Sequence, residues 1–407
     1  MTCRHCQSPS TRTFLDLGHA PPSNAYLSAP DLSKPEITFP LRVMVCGSCR
    51  LVQTEDYAAA ADLFRPDYAY FSSTSKSWLQ HASAYSAMII ERLGLSEQSF
   101  VIEVASNDGY LLRNFVAAHI PCLGIEPTDS TAAAAEALGI PVLRRFFGDA
   151  LGRELSQSGR QADLICGNNV YAHVPDINDF TRGLAHALKP EGVVTLEFPH
   201  LLRLMDECQF DTVYHEHFSY LSLACAMRIF ESAGLRIFDV EELPTHGGSL
   251  RIYGCRRVAS HVLFPSVGEV LAAEARYDLD ADAPYDGFQA RADAIKDGLL
   301  SFLIDAKRAG KRVAGYGAAA KGNTLLNYAG VKRDLLGFIC DAAPSKQGQF
   351  MPGSHIPIVA PSRLDDELPD YVLILPWNLA AELSAQLAPL RVHGTRFVTA
   401  VPELKVF

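Results

Sequence analysis

Val101-Ile-Glu-Val-Ala-Ser-Asn-Asp-Gly109 decides how this chain reads. An apolar run, Phe100 to Ala105, enters a tight polar turn, Ser106-Asn-Asp-Gly109, and then helix-forming sequence from Tyr110 to Ala118. A strand that passes through such a turn into a helix opens a βα unit. The next strand, Cys122-Leu-Gly-Ile-Glu126, ends in an acid, and Asp163 to Gly167 and Gly192 to Phe198 continue the series. Strands separated by helices predict an α/β fold with a parallel, doubly wound sheet.

Ligands of such sheets sit beyond the carboxyl ends of the strands, where a strand-end acid accepts hydrogen bonds from ribose hydroxyls. The turn here has a single glycine rather than G-x-G-x-x-G, so a pyrophosphate is a poor guest. An adenosine without phosphates suits it better, and S-adenosylmethionine is the common one. Glu103, Ser106, Asn107, Asp108, Gly109 and Glu126 are the candidate cofactor residues, with Asn168 and Asn169 after the strand Asp163 to Gly167. Gly109 is read as letting backbone approach a ligand. The competing reading is an ordinary turn with a strand-end carboxylate.

Upstream, Cys3-x-x-Cys6 and Cys46-x-x-Cys49 have the spacing of a tetrahedral thiolate zinc site. Four thiolates leave no place for water or substrate, so the metal is expected to be structural. The polar, aromatic stretch Tyr68 to Ser75 and a helix Trp78 to Leu93 lead into the first βα unit. Downstream, helices Val267 to Tyr277 and Ala290 to Ala309 precede a second α/β unit, with strands Arg312 to Tyr316, Leu336 to Cys340 and Tyr371 to Leu375. Gly315-Tyr-Gly317 and Lys321-Gly322 form a partial phosphate loop at a helix N-terminus, and Asp341 ends the next strand. The expected domains are 1–65, 66–284 and 285–407.

With 36 basic and 46 acidic residues the chain carries a net charge of −10, which disfavours nucleic acid as a partner. No apolar run reaches the about 18 residues that cross a bilayer, and no signal core precedes Cys3, so the expected location is cytoplasmic. Cys122, Cys166, Cys208, Cys225, Cys255 and Cys340 are read as core residues rather than disulfide partners.

The chemistry concentrates in Tyr214-His-Glu-His-Phe-Ser-Tyr220, which packs two imidazoles, a carboxylate and two phenols into one short run. Titratable groups following a nucleoside-binding unit point to proton transfer on something bound beside a cofactor. His173, in Asn169-Val-Tyr-Ala-His173, is a candidate partner. His246-Gly-Gly-Ser-Leu-Arg251 reads as a hairpin whose Arg251 faces a cleft.

Taken together, the motifs resemble the S-adenosylmethionine-dependent sugar C-methyltransferases that act at C3 of nucleotide-linked 4-keto deoxysugars. The resemblance spans the chain: both C-x-x-C pairs, Glu103-x-Ala-Ser-Asn-Asp-Gly109, Asn169-x-x-x-His173, Glu197-Phe-Pro-His200, Tyr214-His-Glu-His217, His246 to Arg251 and Gly315 to Gly322. It implies a small zinc domain, a central Rossmann-like methyltransferase domain and a C-terminal Rossmann-like domain, with the nucleotide sugar between the last two. It also implies a part in deoxysugar and antibiotic biosynthesis. Tyr214, Glu216 and His217 match the motif that holds the catalytic base, and His173 matches another active-site histidine. Arg251, Gly317, Lys321 and Asp341 are the candidate substrate residues.

A ketone at C4 acidifies the C3 hydrogen, and an imidazole with a pKa near 6.5 is a free base at neutral pH. His217 is favoured as that base over Tyr214, and Tyr214, His173 or Arg251 as donors to the enolate oxygen. Thymidine diphosphate is the expected carrier, with cytidine and guanosine diphosphate as alternatives, and the chain is expected to be a monomer. The rival readings are an O- or N-methyltransferase and a zinc-ribbon binding module on a degenerate methyltransferase fold.

Overall fold

The computed structural model describes residues 1–57 and 71–407. The expected border at residue 65, and Tyr68 to Tyr70 of the aromatic stretch, lie outside them. Three sheets organise the rest. The N-terminal sheet is antiparallel, with strands Thr11–Ala20, Phe39–Cys46 and Val52–Thr54. Its fourth strand is Ser219–Tyr220, the end of the titratable run, paired through Gln53–Ser219 and Val52–Tyr220. Thr54 N–H donates to the carbonyl of Phe218 at 3.2 Å, and its hydroxyl to that of His217 at 3.2 Å. The zinc-bearing domain therefore grips the backbone that carries the candidate base.

The central sheet has seven strands. Val101–Val104, Cys122–Ile125, Val142–Leu143, Ala162–Asn168 and Leu188–Pro199 pair in parallel, as their helix-separated spacing predicts. The expected hairpin is present: Leu235–Leu243 and Ser249–Arg256 are antiparallel, joined through Thr245–Gly247. Ser249–Arg256 also runs antiparallel to Leu188–Pro199, so the sheet departs from the all-parallel expectation at that strand. A tight hairpin forces this, because a parallel return needs a long crossover. The helix before the sheet, Lys76–Leu93, starts where the Ser75 hydroxyl accepts the Trp78 N–H and stops at Gly94 with φ 61°.

The C-terminal sheet pairs Val313–Tyr316, Ile339–Cys340, Ile358–Val359, Tyr371–Ile374 and Arg396–Thr399 in parallel, with Lys405–Val406 antiparallel at the edge. One hydrophobic core joins this unit to the N-terminal sheet: Phe14 stacks on Phe288 at 4.5 Å between ring centroids. Full burial of Phe288, the first residue of the long helix Phe288–Arg308, contributes about 1.5–3 kcal/mol. The border expected at 284/285 falls inside the short helix Ala283–Asp286, whose Tyr285 also packs on Phe14. The six scattered cysteines are buried and free. Among the described residues no helix is long and apolar enough to cross a membrane.

Candidate active site

A cavity of about 630 Å³ opens where the three units meet. One side of it is the carboxyl edge of the central sheet. Val104, Asn107, Ile125, Glu126, Asn168 and Asn169 line it, with Phe147 and Phe180 as apolar walls. Glu126 accepts the N–H groups of Asn107 and Thr128 at 2.9 and 3.0 Å, which aims the carboxylate across the turn. The side-chain amide of Asn168 is buried with neither Nδ2 nor Oδ1 hydrogen-bonded among the described residues. A buried amide without partners is costly, so it fits a polar ligand in that space. Carboxylate, amides and apolar walls together match a nucleoside carrying an amino-acid group, as S-adenosylmethionine does.

Other expected cofactor residues stand behind this surface. Glu103 is buried in its strand outside the cavity lining, its pKa raised by burial and by Asp108 and Glu126. Asp108 accepts the N–H of Ser73, and Ser106 is buried beneath the turn. Gly109 has φ 78°, and a Cβ there would strike Ile140 and Ala135. Its missing side chain therefore serves the packing of the turn on the next βα unit rather than a close ligand approach.

The cavity is also lined by His173, Tyr214, Glu216, His217 and His246. His217 Nδ1 is 3.0 Å from the carbonyl of Thr212, and His173 Nδ1 is 2.8 Å from that of Glu216. A carbonyl only accepts, so in each ring Nδ1 carries the proton and Nε2 the lone pair. The two rings meet edge to face at 4.6 Å, and the Tyr214 ring lies 3.9 Å from that of His217. Burial holds His173 down to about 4 and, with His173 nearby, holds His217 well below its ordinary value. Burial also raises Glu216, whose Oε1 accepts from the Asn24 amide at 3.2 Å.

Arg251 lies outside the cavity lining. Its guanidinium turns inward to Glu197 at 3.1 Å and Glu241 at 2.9 Å. His81 at 2.9 Å and Thr245 at 3.0 Å complete the shell around Glu197. The pairing follows from strand register, since Arg251 sits opposite both Glu197 and Glu241.

Ala319, Ala320, Lys321 and Lys346 form the C-terminal wall. Gly317 and Asp341 sit one layer back. The Gly317 N–H goes to the carbonyl of Cys340, that of Ala318 goes to Asp341 Oδ2 at 2.7 Å, and a Cβ at Gly317 would strike Pro376. Lys321 Nζ donates to Asn378 Oδ1 at 2.8 Å, and burial lowers its pKa.

Away from the cavity, the Sγ atoms of Cys3, Cys6, Cys46 and Cys49 all lie within 4.8 Å of one another, with Cys3–Cys49 at 3.5 Å and Cys6–Cys46 at 3.6 Å. Thiolates about 2.3 Å from a tetrahedral zinc stand about 3.8 Å apart, so the cluster fits that ion.

Three family models match in this order: a zinc binding domain over residues 3–64, a methyltransferase domain over 78–240 and a C-methyltransferase C-terminal domain over 244–402. The C-methyltransferase NovU of Streptomyces niveus is 33% identical over 404 residues, covering 99% of this chain and 96% of that protein. The chain belongs to the C-methyltransferase family. It is an S-adenosylmethionine-dependent C-methyltransferase with a structural zinc site. Among solved structures, a magnesium protoporphyrin IX methyltransferase from Synechocystis PCC 6803 is 16% identical at a TM-score of 0.36, covering 44% of this chain and 83% of that one. A methyltransferase from Clostridium acetobutylicum ATCC 824 is 10% identical at 0.35, covering 44% and 92%. Both likenesses are too low to bear on function.

The resemblance drawn from the motifs thus holds at family level, and the O-/N-methyltransferase and binding-module readings fall away. Sequence reading did not find Asn24, which reaches Glu216 across 192 positions of chain. Nor did it find a role for His246, whose Nε2 accepts from the Asn169 amide at 2.9 Å. An asparagine in the zinc domain carries no local signal, whereas His246 was visible inside a quoted motif.

The depressed histidines make a pH prediction for this C-methyltransferase. A base whose folded pKa lies below 6.5 keeps its lone pair as pH falls, so the acid limb of kcat/KM is expected clearly below pH 6.5. Stability moves the other way. Between pH 6.5 and about 4 the unfolded chain takes up protons that folded His173 refuses, so stability is present above that window and lost as pH falls through it. An acid limb at or above 6.5 contradicts the burial argument.

Proposed function

We propose that this C-methyltransferase acts at C3 of a nucleotide-linked 4-keto deoxysugar through a base-generated enolate, as a step in deoxysugar biosynthesis. The observation that supports this most is the pair of neutral imidazoles in the cavity, each with Nδ1 tied to a backbone carbonyl. Carbon methylation needs a carbanion equivalent, and a ketone beside C3 permits one. His217 takes the C3 proton on Nε2. Tyr214, against the His217 ring, donates to the oxygen where charge develops. Neutral His173 has its only N–H directed at the Glu216 carbonyl, so the donor role passes to Tyr214, and His173 shapes the wall beside the base. The inward-turned Arg251 braces Glu197 beneath the site instead of meeting the sugar.

Glu126, Asn107, Asn168 and Asn169 are the residues that hold S-adenosylmethionine, which supplies a methyl group already activated on a sulfonium. The same cavity reaches Lys321 and Lys346, and ammonium groups beside a helix N-terminus suit a diphosphate. Thymidine diphosphate is the proposed carrier. Lys321→Ala is expected to weaken nucleotide-sugar affinity about 10-fold with cofactor affinity unchanged. Equal sugar affinity in titration calorimetry removes Lys321 from that role.

The test of the whole reading is mass spectrometry of a panel of nucleotide 4-keto deoxysugars incubated with enzyme and S-adenosylmethionine. A gain of one methylene, about 14 Da, is the expected result, with deuterium entering C3 of the unmethylated sugar in heavy water when S-adenosylhomocysteine replaces the methyl donor. A methylated product in which C3 keeps its hydrogen counts against the C3 enolate.

A further inference from the structure

Asp211 is fully buried one residue ahead of the carbonyl that holds His217, and the mechanism above does not use it. It lies in the short turn Phe210–Thr212. Its Oδ2 accepts the indole N–H of Trp377 at 2.8 Å, while its Oδ1 has no hydrogen bond among the described residues. On the other side of Thr212, the carbonyl of Val213 accepts the Thr324 hydroxyl at 2.8 Å. The acceptor for His217 Nδ1 is therefore flanked by two residues, and both are held from the C-terminal domain.

Those holding groups belong to the wall that faces the cavity. Thr324 is on the helix Ala320–Tyr328, which also carries Lys321, and Lys321 Nζ lies 4.6 Å from the Trp377 ring centroid. Trp377 also abuts the His246 turn, since a Cβ at Gly247 would strike its ring. A carboxyl kept out of water with so few partners is costly. Burial pushes Asp211 up to about 6, with Lys321 opposing that shift.

We propose that Asp211 is a positioning residue: together with Trp377 and Thr324 it lets the C-terminal wall that carries Lys321 set the orientation and tautomer of His217. The inference rests on the reading of His217 as base. The Nδ1 proton stays where it is only while the Thr212 carbonyl remains in hydrogen-bond geometry. A displacement of about 1 Å in a reacting group costs on the order of 100-fold in rate.

The experiment uses the full-length, zinc-loaded enzyme with nitrogen-15-labelled histidine, the His217 signals being assigned by their loss in His217→Asn. The wild type is expected to show a single Nδ1–H tautomer for His217. Trp377→Phe, which removes the N–H donor together with part of the ring beside Gly247, and Asp211→Ala are expected to give mixed tautomers. Their kcat should fall about 10- to 100-fold, with KM for S-adenosylmethionine within about 3-fold. Asp211→Asn, which keeps an oxygen for the indole, should restore both, and thermal stabilisation by S-adenosylhomocysteine verifies that each variant is folded. Wild-type tautomer and kcat in Trp377→Phe and Asp211→Ala, alongside an inactive His217→Asn, overturn the positioning role alone. An active His217→Asn overturns the base assignment and this inference with it.

Discussion

His217→Asn is expected to lower turnover by about 10²–10⁴-fold, or about 3–5 kcal/mol of transition-state stabilisation, while S-adenosylhomocysteine still stabilises the protein. The amide of asparagine can keep a hydrogen bond to the Thr212 carbonyl but has no basic nitrogen. The variant therefore tests the lone pair and not the fold. In the native enzyme that lone pair is available because burial and the neighbouring His173 disfavour the charged ring. The proposed cofactor residues Glu126 and Asn168 belong to the central sheet and not to the loop that carries His217, so binding there should survive. Deuterium exchange at C3 should fall in parallel with methyl transfer, since both need the same proton removal. Near-wild-type turnover in His217→Asn would make Tyr214 the better base.

Loss of the zinc site is expected to have the largest effect on stability. Metal analysis of purified protein should find one zinc per chain, and Cys46→Ser should lose the metal together with more than about 3 kcal/mol of stability. Without a dication, the Cys3 thiol is pushed up by its hydrogen bond to Cys49 and by burial, which favours its protonated form; a bound zinc reverses that balance. The consequence reaches beyond the first 57 residues. Cys49 gives its carbonyl to Arg228 at 3.0 Å, Thr54 holds the backbone of His217 and Phe218, and Asn24 holds Glu216. Activity should therefore fall with the metal, although no thiolate approaches the cavity. Much less than one zinc per chain in freshly purified protein would defeat this expectation.

Features with local causes were legible. The strand and turn around Ser106 to Gly109, the acid ending the second strand and the helix stop at Gly94 each follow from short-range sequence. The cysteine pairs were legible for a chemical reason: thiolates at that spacing leave a metal site as the economical reading. The glycines were visible, but their purpose was not. Gly109 and Gly317 both look like ligand loops in one dimension, and both prove to be where a neighbouring βα element packs too closely for a Cβ. Arg251 was visible as a guanidinium near a turn, yet its direction depends on two strands pairing beside it.

By itself, then, the sequence determined the α/β class, the order of the three units, the thiolate site and the titratable run from which the proposed proton-transfer groups come. Each depends on residue type within a short window, where backbone propensity and side-chain chemistry act directly. Only the tertiary structure decided which nitrogen of His217 carries the lone pair, that Asn24 meets Glu216, that Arg251 faces inward, and that the partners of Trp377 and Thr324 bracket the carbonyl holding His217. Those contacts join residues from 54 to 192 positions apart, save the histidine bond itself. They form because separate apolar faces dock and bring polar groups together, and buried polar groups must then find partners wherever the packing has placed them.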